Sequence, residues 1–435
     1  MSTVCWNVLN ALTRKGSGPD ERLPPPARLG RMSAALRIVV VNHVHPLRNH
    51  VSALRMRSFA QALAGKGDQV VLLSDNRSAN DPGTAPRDVP DLLDKHDWSR
   101  PLFISSARAK DTLQAKAREG RLPAGLRQAV VAWSYFRTGG IFGDWRAAAA
   151  PLLPTVADSF KPDIVLATFG NTDAWAIADA LAEIAGCPWI ADFKDNWSAF
   201  IPFGFRKATA CRFSRMAHMT IFSENHAREA AQWFPAEKTV IYSGYDNTPS
   251  PNAPTAGTTG TIVLTGSLYG SPHLSVLCAG IRSFAAAAPE LDLTLVYAGN
   301  DRAYFEAVTA PLHGICEAKA VGHLPADELA ALQASALANV YICNPRNLFQ
   351  QKVLELLARA RPVIAVPGES EEAVRIAAEV GNTLNRCASA DDIAAALHDS
   401  LNARPVPGGA IESYSWQAQT DRLREVMLRV IETTR

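Results

Sequence analysis

The sequence predicts an α/β protein made of two Rossmann-like, doubly wound domains. Short β-branched apolar runs recur between helical patterns along most of the chain, and they lack the polar alternation of half-exposed strands, as expected where both faces of a parallel sheet are covered. A Pro-, Thr- and Gly-rich stretch (NTPSPNAPTAGTTG) divides the series into two halves of similar grammar. Length agrees, because 435 residues exceed the size at which a single core stops growing.

Residues 1–34 contain Gly16, Gly18 and the run Pro24, Pro25, Pro26 without sustained periodicity, and read as a loose extension. Met32, just before the first strand, is an alternative physiological start. The first domain spans 35–246. LRIVVVN (36–42) is its first strand, followed by a loop, a helix through 52–63 that ends at Gly65 and Gly67, and the strand QVVLL (69–73). Further strands are expected at 164–168, 189–193, 219–222 and 240–242, with helices at 172–185 and 224–233. Residues 79–160 have no clear period and read as an insertion with an aromatic cluster, Trp133, Tyr135, Phe136, Phe142 and Trp145. A linker occupies 247–260 and the second domain 261–410. There, TIVLTG, LTLVYAG, NVYIC and PVIAV are strands, with helices at 273–288, 325–335, 348–359 and 371–378. Residues 411–435 end the chain in a closing amphipathic helix.

Composition narrows the function classes. Hydrophobic residues at 47% and charged residues at 20% exclude a wholly disordered or fibrous chain. A net charge of +2 provides no field suited to nucleic acid. The seven cysteines form no CxxC pair and read as reduced thiols, which favours a cytoplasmic location. No apolar run approaches membrane-spanning length, and no signal-peptide core follows Met1.

Parallel sheets bind ligands beyond the carboxyl ends of their strands, which selects the candidates. In the first domain these are His43, His45, Arg48 and Asn49, then Asp192, Lys194, Asp195 and Asn196. In the second they are Gly266, Ser267, Leu268, Tyr269 and Gly270, and residues 344–352. Glycines in TGSLYG let backbone approach a polyanion closely, or merely shape a βα turn. Lys352 and Glu355, three apart on one helix, suit donor phosphates and sugar or ribose hydroxyls, or form a surface ion pair. Asp192 and Asp195 are candidate ligands for a hydroxyl or its proton, or caps of the next segment. His43 and His45 lack metal-ligand spacing, and no metal is expected. The basic segment 205–216 (FRKATACRFSRM) either rests on anionic lipid or packs on the sheet with a solvated basic face.

With these residues in view, the chain from Leu36 to Arg435 resembles a retaining glycosyltransferase of the GT-B fold, of the group called glycosyltransferase family four. KVLELLARARPVIAVPGES is similar to that family's helix-strand block, with Glu355 matching the second glutamate of its paired motif and Lys352 matching a lysine of a sub-branch. TGSLYG resembles the donor-phosphate loop, VGHLP (321–325) the block flanking the nucleotide base, and VIYSGYD (240–246) the strand into the hinge. Asn347 stands where the family has its first glutamate, Ala360 replaces a glycine, and Ser243 replaces an asparagine.

The resemblance implies two domains facing across a cleft, a UDP- or GDP-sugar held by the second and an acceptor met by the first. It implies retention at the anomeric carbon, with no tightly bound cofactor. His43, Asp192, Asp195 and Lys352 are then the catalytic candidates. Gly266, Ser267, Leu268, Tyr269, Gly270, His323, Leu324, Asn347, Leu348, Phe349, Lys352 and Glu355 are the donor-binding set. Polysaccharide assembly on a glycan, lipid-linked or small acceptor is the expected setting, with peripheral contact at an anionic membrane surface. The alternatives are a UDP-sugar epimerase-like enzyme, a phosphorylase, or a catalytically silent scaffold, the last suggested by Asn347.

Overall fold

The computed structural model describes residues 35–48, 50–78, 80–109, 111–245, 260–270, 272–344, 347–403 and 410–434. The expected 1–34 extension, residues 247–259 of the expected linker, and Asn49 lie outside them.

Seven strands form the first sheet: β1 (Arg37–Val41), β2 (Gln69–Asp75), β3 (Leu102–Ser106), β4 (Ile164–Thr168), β5 (Trp189–Phe193), β6 (His218–Ile221) and β7 (Lys238–Val240). Their order is β3-β2-β1-β4-β5-β6-β7. The second sheet holds β8 (Gly260–Thr265), β9 (Leu293–Ala298), β10 (Glu317–Ala320), β11 (Ala338–Ile342), β12 (Val363–Val366) and β13 (Leu384–Arg386), in the order β10-β9-β8-β11-β12-β13. Neighbours pair in parallel throughout both sheets. The connection direction therefore reverses between β1 and β4 in one sheet and between β8 and β11 in the other. Such switch points leave crevices at the strands' carboxyl ends.

Local chemistry sets the elements that flank these crevices. The Asn171 side chain accepts from the Ala174 amide and starts the Thr172–Ala185 helix, and Gly186 closes it at φ +65°. Its inner face buries Trp175, which stacks on Trp197 at 5.9 Å and meets Phe213 and Phe234 edge-on. The 79–160 stretch is helical in large part, including Ala124–Thr138, Gly143–Ala149 and Leu152–Phe160, and contributes β3 to the sheet edge.

One sequence expectation changes, and packing decides two points the sequence left open. The helix expected at 348–359 runs only over Lys352–Leu357, so Leu348 and Phe349 precede it. The closing helix, Trp416–Thr434, packs on the first domain: its Leu423, Val426 and Met427 share a core with Ile38, Val40 and Phe59. Arg424 pairs there with Asp68 at 2.8 Å. In the basic segment, Phe213 and Met216 are buried in the first domain and Arg215 is bound by Asp179 and Glu183, so its apolar side is core.

The domains touch through a defined contact. Glu372, buried in the second, accepts from the amides of Glu224 (2.7 Å) and Asn225 (3.2 Å), at the start of a first-domain helix, and from the Tyr242 hydroxyl (2.6 Å). A carboxylate at a helix amino end is favoured by the unpaired amides there.

Candidate active site

In the second domain the loop after β8 turns sharply, with positive φ at Gly266 (+94°), Tyr269 (+57°) and Gly270 (+58°). Its shape is pinned from below. The Tyr297 hydroxyl donates to the Gly266 carbonyl (2.9 Å) and accepts from the Asp301 amide (3.1 Å), while Asp301 accepts from the Leu268 amide (2.7 Å). Leu268 is fully buried in the core, which corrects its expected donor contact: side chain and N–H are both used in holding the loop.

The Lys352 ammonium donates to the Thr265 carbonyl at 3.4 Å and lies 5.6 Å from the Tyr341 ring centroid. A Cβ added at Gly266 would overlap that ammonium and push it aside, while the positive φ is what calls for glycine here. Two motifs distant in sequence therefore meet at the β8/β11 switch point. Burial lowers the Lys352 pKa, with Glu355, Cys343 and Glu369 opposing. An anion arriving beside this desolvated ammonium is strongly attracted. Glu355 accepts from the Gln351 side chain at 3.3 Å.

A cavity of about 710 Å³ opens beside this cluster. Asn344, Asn347, Leu348, Glu369 and Arg386 line it from the second domain and Asn225 from the first. This is within the ordinary range of small-molecule sites. His273, at the start of the 15-residue His273–Ala287 helix, lines it too, so that helix directs its positive end toward the cavity. Tyr269 hydrogen-bonds Asn344, tying the glycine loop to the wall. Ser267, Tyr269, Gly270, His323 and Asn347 are exposed and Leu324 half-buried. Phe349 is different: it packs edge-on against Phe222 of the first domain (5.6 Å) and near Tyr242 (5.8 Å), an interdomain core contact that corrects its donor role.

In the first domain, His43 after β1, Gly170 after β4 and Asp195 after β5 come together. A Cβ built on Gly170 lies 3.3 Å from His43 Nδ1 and 4.0 Å from Asp195 Oδ2. The His43 ring leans on Phe142 at 5.1 Å and Trp145 at 6.2 Å. Burial first, and then Lys194, pushes its pKa down to about 3, so the imidazole is neutral at physiological pH. Burial raises the Asp195 pKa and lowers that of Lys194, which lies 3.8 Å away.

Asp192 is not part of that wall. It is 1% exposed, and its carboxylate accepts from Arg55 (2.7 and 3.1 Å), Thr168 (3.0 Å) and Thr220 (2.9 Å). Arg55 goes on to the Ile241 carbonyl (2.8 Å) and Ser243 (3.1 Å), so the pair joins the sheet to the segment leaving the domain. Its expected catalytic role is corrected to an internal tie, since no lone pair faces the cleft.

Sequence reasoning missed Glu369, Arg386 and Asn225. The strand-end rule applied to β12 reaches Glu369; Arg386 ends β13, a strand the sequence did not suggest, and Asn225 has no such signal because it arrives from the other domain.

No protein-family model matches the chain, and no curated protein does. Solved structures do. Anabaena Alr3699/HepE, crystallised in complex with UDP-glucose, superposes with a TM-score of 0.52 at 14% identity over 92% of this chain and 99% of that one. The fold is GT-B. A glycosyltransferase from Rickettsia africae gives 0.55 at 14% over 92% and 99%, and the α,α-trehalose 6-phosphate synthase of Burkholderia multivorans 0.60 at 12% over 92% and 100%. At these identities the GT-B likeness establishes architecture, and the chemistry has to come from the residues of this chain.

Proposed function

We propose that this protein is a glycosyltransferase that moves a sugar from a UDP- or GDP-sugar to an acceptor hydroxyl, with retention at the anomeric carbon. The observation that carries this reading is the desolvated Lys352 ammonium lying over Gly266 beside a cavity at a GT-B switch point. HepE holding UDP-glucose supports a UDP-sugar as the first donor to try.

In this mechanism the second domain holds the nucleotide diphosphate and the first presents the acceptor. Negative charge grows on the leaving diphosphate as the glycosidic bond breaks, and Lys352 stabilises it. Glu355 accepts from ribose hydroxyls. Neutral His43 and Asp195 orient sugar or acceptor hydroxyls, and Phe142 and Trp145 fix the His43 ring. Asn347 hydrogen-bonds the donor sugar without charge. The acceptor is a glycan or lipid-linked hydroxyl in polysaccharide assembly, in the cytoplasm or at its membrane face. No helix among the described residues is long and apolar enough to cross a membrane.

Thermal melting with UDP and GDP tests the donor side, since a ligand bound only by the native state raises apparent stability. One nucleotide raises the melting temperature, and Glu355→Ala weakens its affinity by roughly tenfold, the loss of one charge-assisted hydrogen bond. Unchanged affinity in folded Glu355→Ala removes that residue from the site; no shift with any nucleoside diphosphate or its sugars removes the proposal.

A pH effect accompanies the packing of the first domain. His226 is 2% exposed and burial holds its pKa down at about 3, against an ordinary 6.5. Between those values the unfolded chain takes up a proton that the folded one refuses, so stability falls as pH falls, by up to about 1.4 kcal/mol per pH unit. His226→Gln removes that increment from the slope, measured by urea unfolding of both proteins at pH 6.5, 5.5 and 4.5. Comparing the two proteins cancels the opposite slope from Asp173 and Asp195, whose pKa values burial raises. Equal slopes overturn the assignment.

A further inference from the structure

Among the described residues five aromatic side chains are exposed, and four of them, Trp133, Phe136, Phe200 and Phe203, belong to two segments that meet. The segments are the Ala124–Thr138 helix and the stretch that begins with the Trp197–Phe200 helix. They are locked together: Arg212 donates to the Phe136 carbonyl (2.9 Å), the Tyr135 hydroxyl donates to the Phe200 carbonyl (3.3 Å), and the Tyr135 and Phe205 rings lie 6.0 Å apart. A shallow groove of about 390 Å³, lined by Val131, Ala132, Pro202 and Phe205, runs between them. Phe203 stands at the outermost point, 85% exposed, with the Arg206 guanidinium 5.5 Å from its ring centroid.

Charge selects the occupant. Residues 120–142 and 197–222 contain seven Lys and Arg and no Asp or Glu, in a chain with 42 carboxylates overall. One of the seven, Arg215, is neutralised by Asp179 and Glu183, and another, Arg121, by Asp111 and Glu119. Arg127, Arg137, Lys207 and Arg212 are exposed around the aromatics. Projecting aromatic rings with surrounding cations suit the headgroup region of an anionic leaflet, where rings enter the acyl boundary and cations meet lipid phosphates.

We propose that this face, the Ala124–Thr138 helix together with the 200–207 stretch, is where an anionic bilayer docks. The exposed cations Lys207 and Arg212 of the basic segment belong to this face, whereas its Phe213 and Met216 are buried and do not. The face adjoins the acceptor wall: the Trp197–Phe200 helix starts two residues after Asp195, and Phe142, four residues past the helix end, holds the His43 ring. A lipid-linked acceptor would thus be met where it is anchored. That last point rests on the transfer reading; the docking does not.

The test uses the full chain and sedimentation with vesicles of phosphatidylcholine, with and without phosphatidylglycerol. The protein partitions to the anionic vesicles only, more weakly as salt rises. Trp133→Ser combined with Phe203→Ser lowers that partitioning by roughly tenfold or more. Arg127→Glu combined with Lys207→Glu abolishes the preference for anionic lipid. All four side chains are solvent-facing, so each variant keeps the wild-type melting temperature and nucleotide response, which separates failed docking from failed folding or failed donor binding. Equal partitioning to both vesicle types, or undiminished binding by the Trp133→Ser/Phe203→Ser protein, overturns the proposal. So does a dimer in solution that this pair dissociates without any vesicle binding, which would give the face to a second copy.

Discussion

Lys352→Ala lowers the rate of sugar transfer by about two to three orders of magnitude, the range found when one preorganised donor to a developing oxyanion is removed. The size of the effect follows from placement. The ammonium sits against the Thr265 carbonyl and the Tyr341 ring, partly stripped of water, and burial depresses its pKa. A diphosphate beside it favours the charged form further, so the interaction strengthens as the leaving group gains charge. Lys352→Arg does not rescue, because a guanidinium is broader than the space over Gly266 and cannot act as a compact point charge. Release of UDP or GDP with a competent sugar donor measures turnover, and calorimetric titration with the nucleotide measures binding. Wild-type values for both in folded Lys352→Ala end the catalytic reading of this residue.

Asp192→Asn destabilises the protein by about 3 to 5 kcal/mol, the usual result of stripping one member from a buried ion pair. Arg55 is 1% exposed and gives two hydrogen bonds to that carboxylate. Asparagine keeps one acceptor oxygen but not the charge, so the guanidinium is left a buried cation whose other partners, the Ile241 carbonyl, Ser243 and the Phe59 and Phe222 rings, are all neutral. The loss is comparable to much of a typical domain's stability. Urea unfolding followed by tryptophan fluorescence reads it, since Trp175, Trp189 and Trp197 are all buried in this domain. Asp195→Asn, on the neighbouring wall, changes stability far less and acts on turnover. Reversal of that ranking would return Asp192 to the catalytic group.

Much of the first domain's frame was legible because its strands are short, apolar and bounded by turn residues. The expected strands at 164–168 and 189–193 and the helix at 172–185 coincide with β4, β5 and Thr172–Ala185. β10 escaped notice for the opposite reason: its sequence, EAKA, is an exposed edge strand with no apolar signal, and backbone pairing to β9 alone makes it a strand. β3 was missed in a stretch whose helices rest on one another and on aromatic clusters, where local period says little.

The candidate site divides in the same way. The strand-end rule brought His43, Asp195, Gly266 and Lys352 forward as candidates, because helix amino termini and the switch-point crevices lie beyond those ends. It had no means of separating Asp192 from Asp195, three residues apart, or Phe349 from Asn347. Which carboxylate is consumed by an arginine 137 residues earlier, and which ring is covered by the other domain, depends on partners distant in sequence. Covalently local patterns of apolarity and turn chemistry carry most of the alternation of strand and helix, and with it the two sheets. What is buried, paired or free in the crevice follows from folding, because desolvation and charge pairing are set by neighbours brought together from distant parts of the chain.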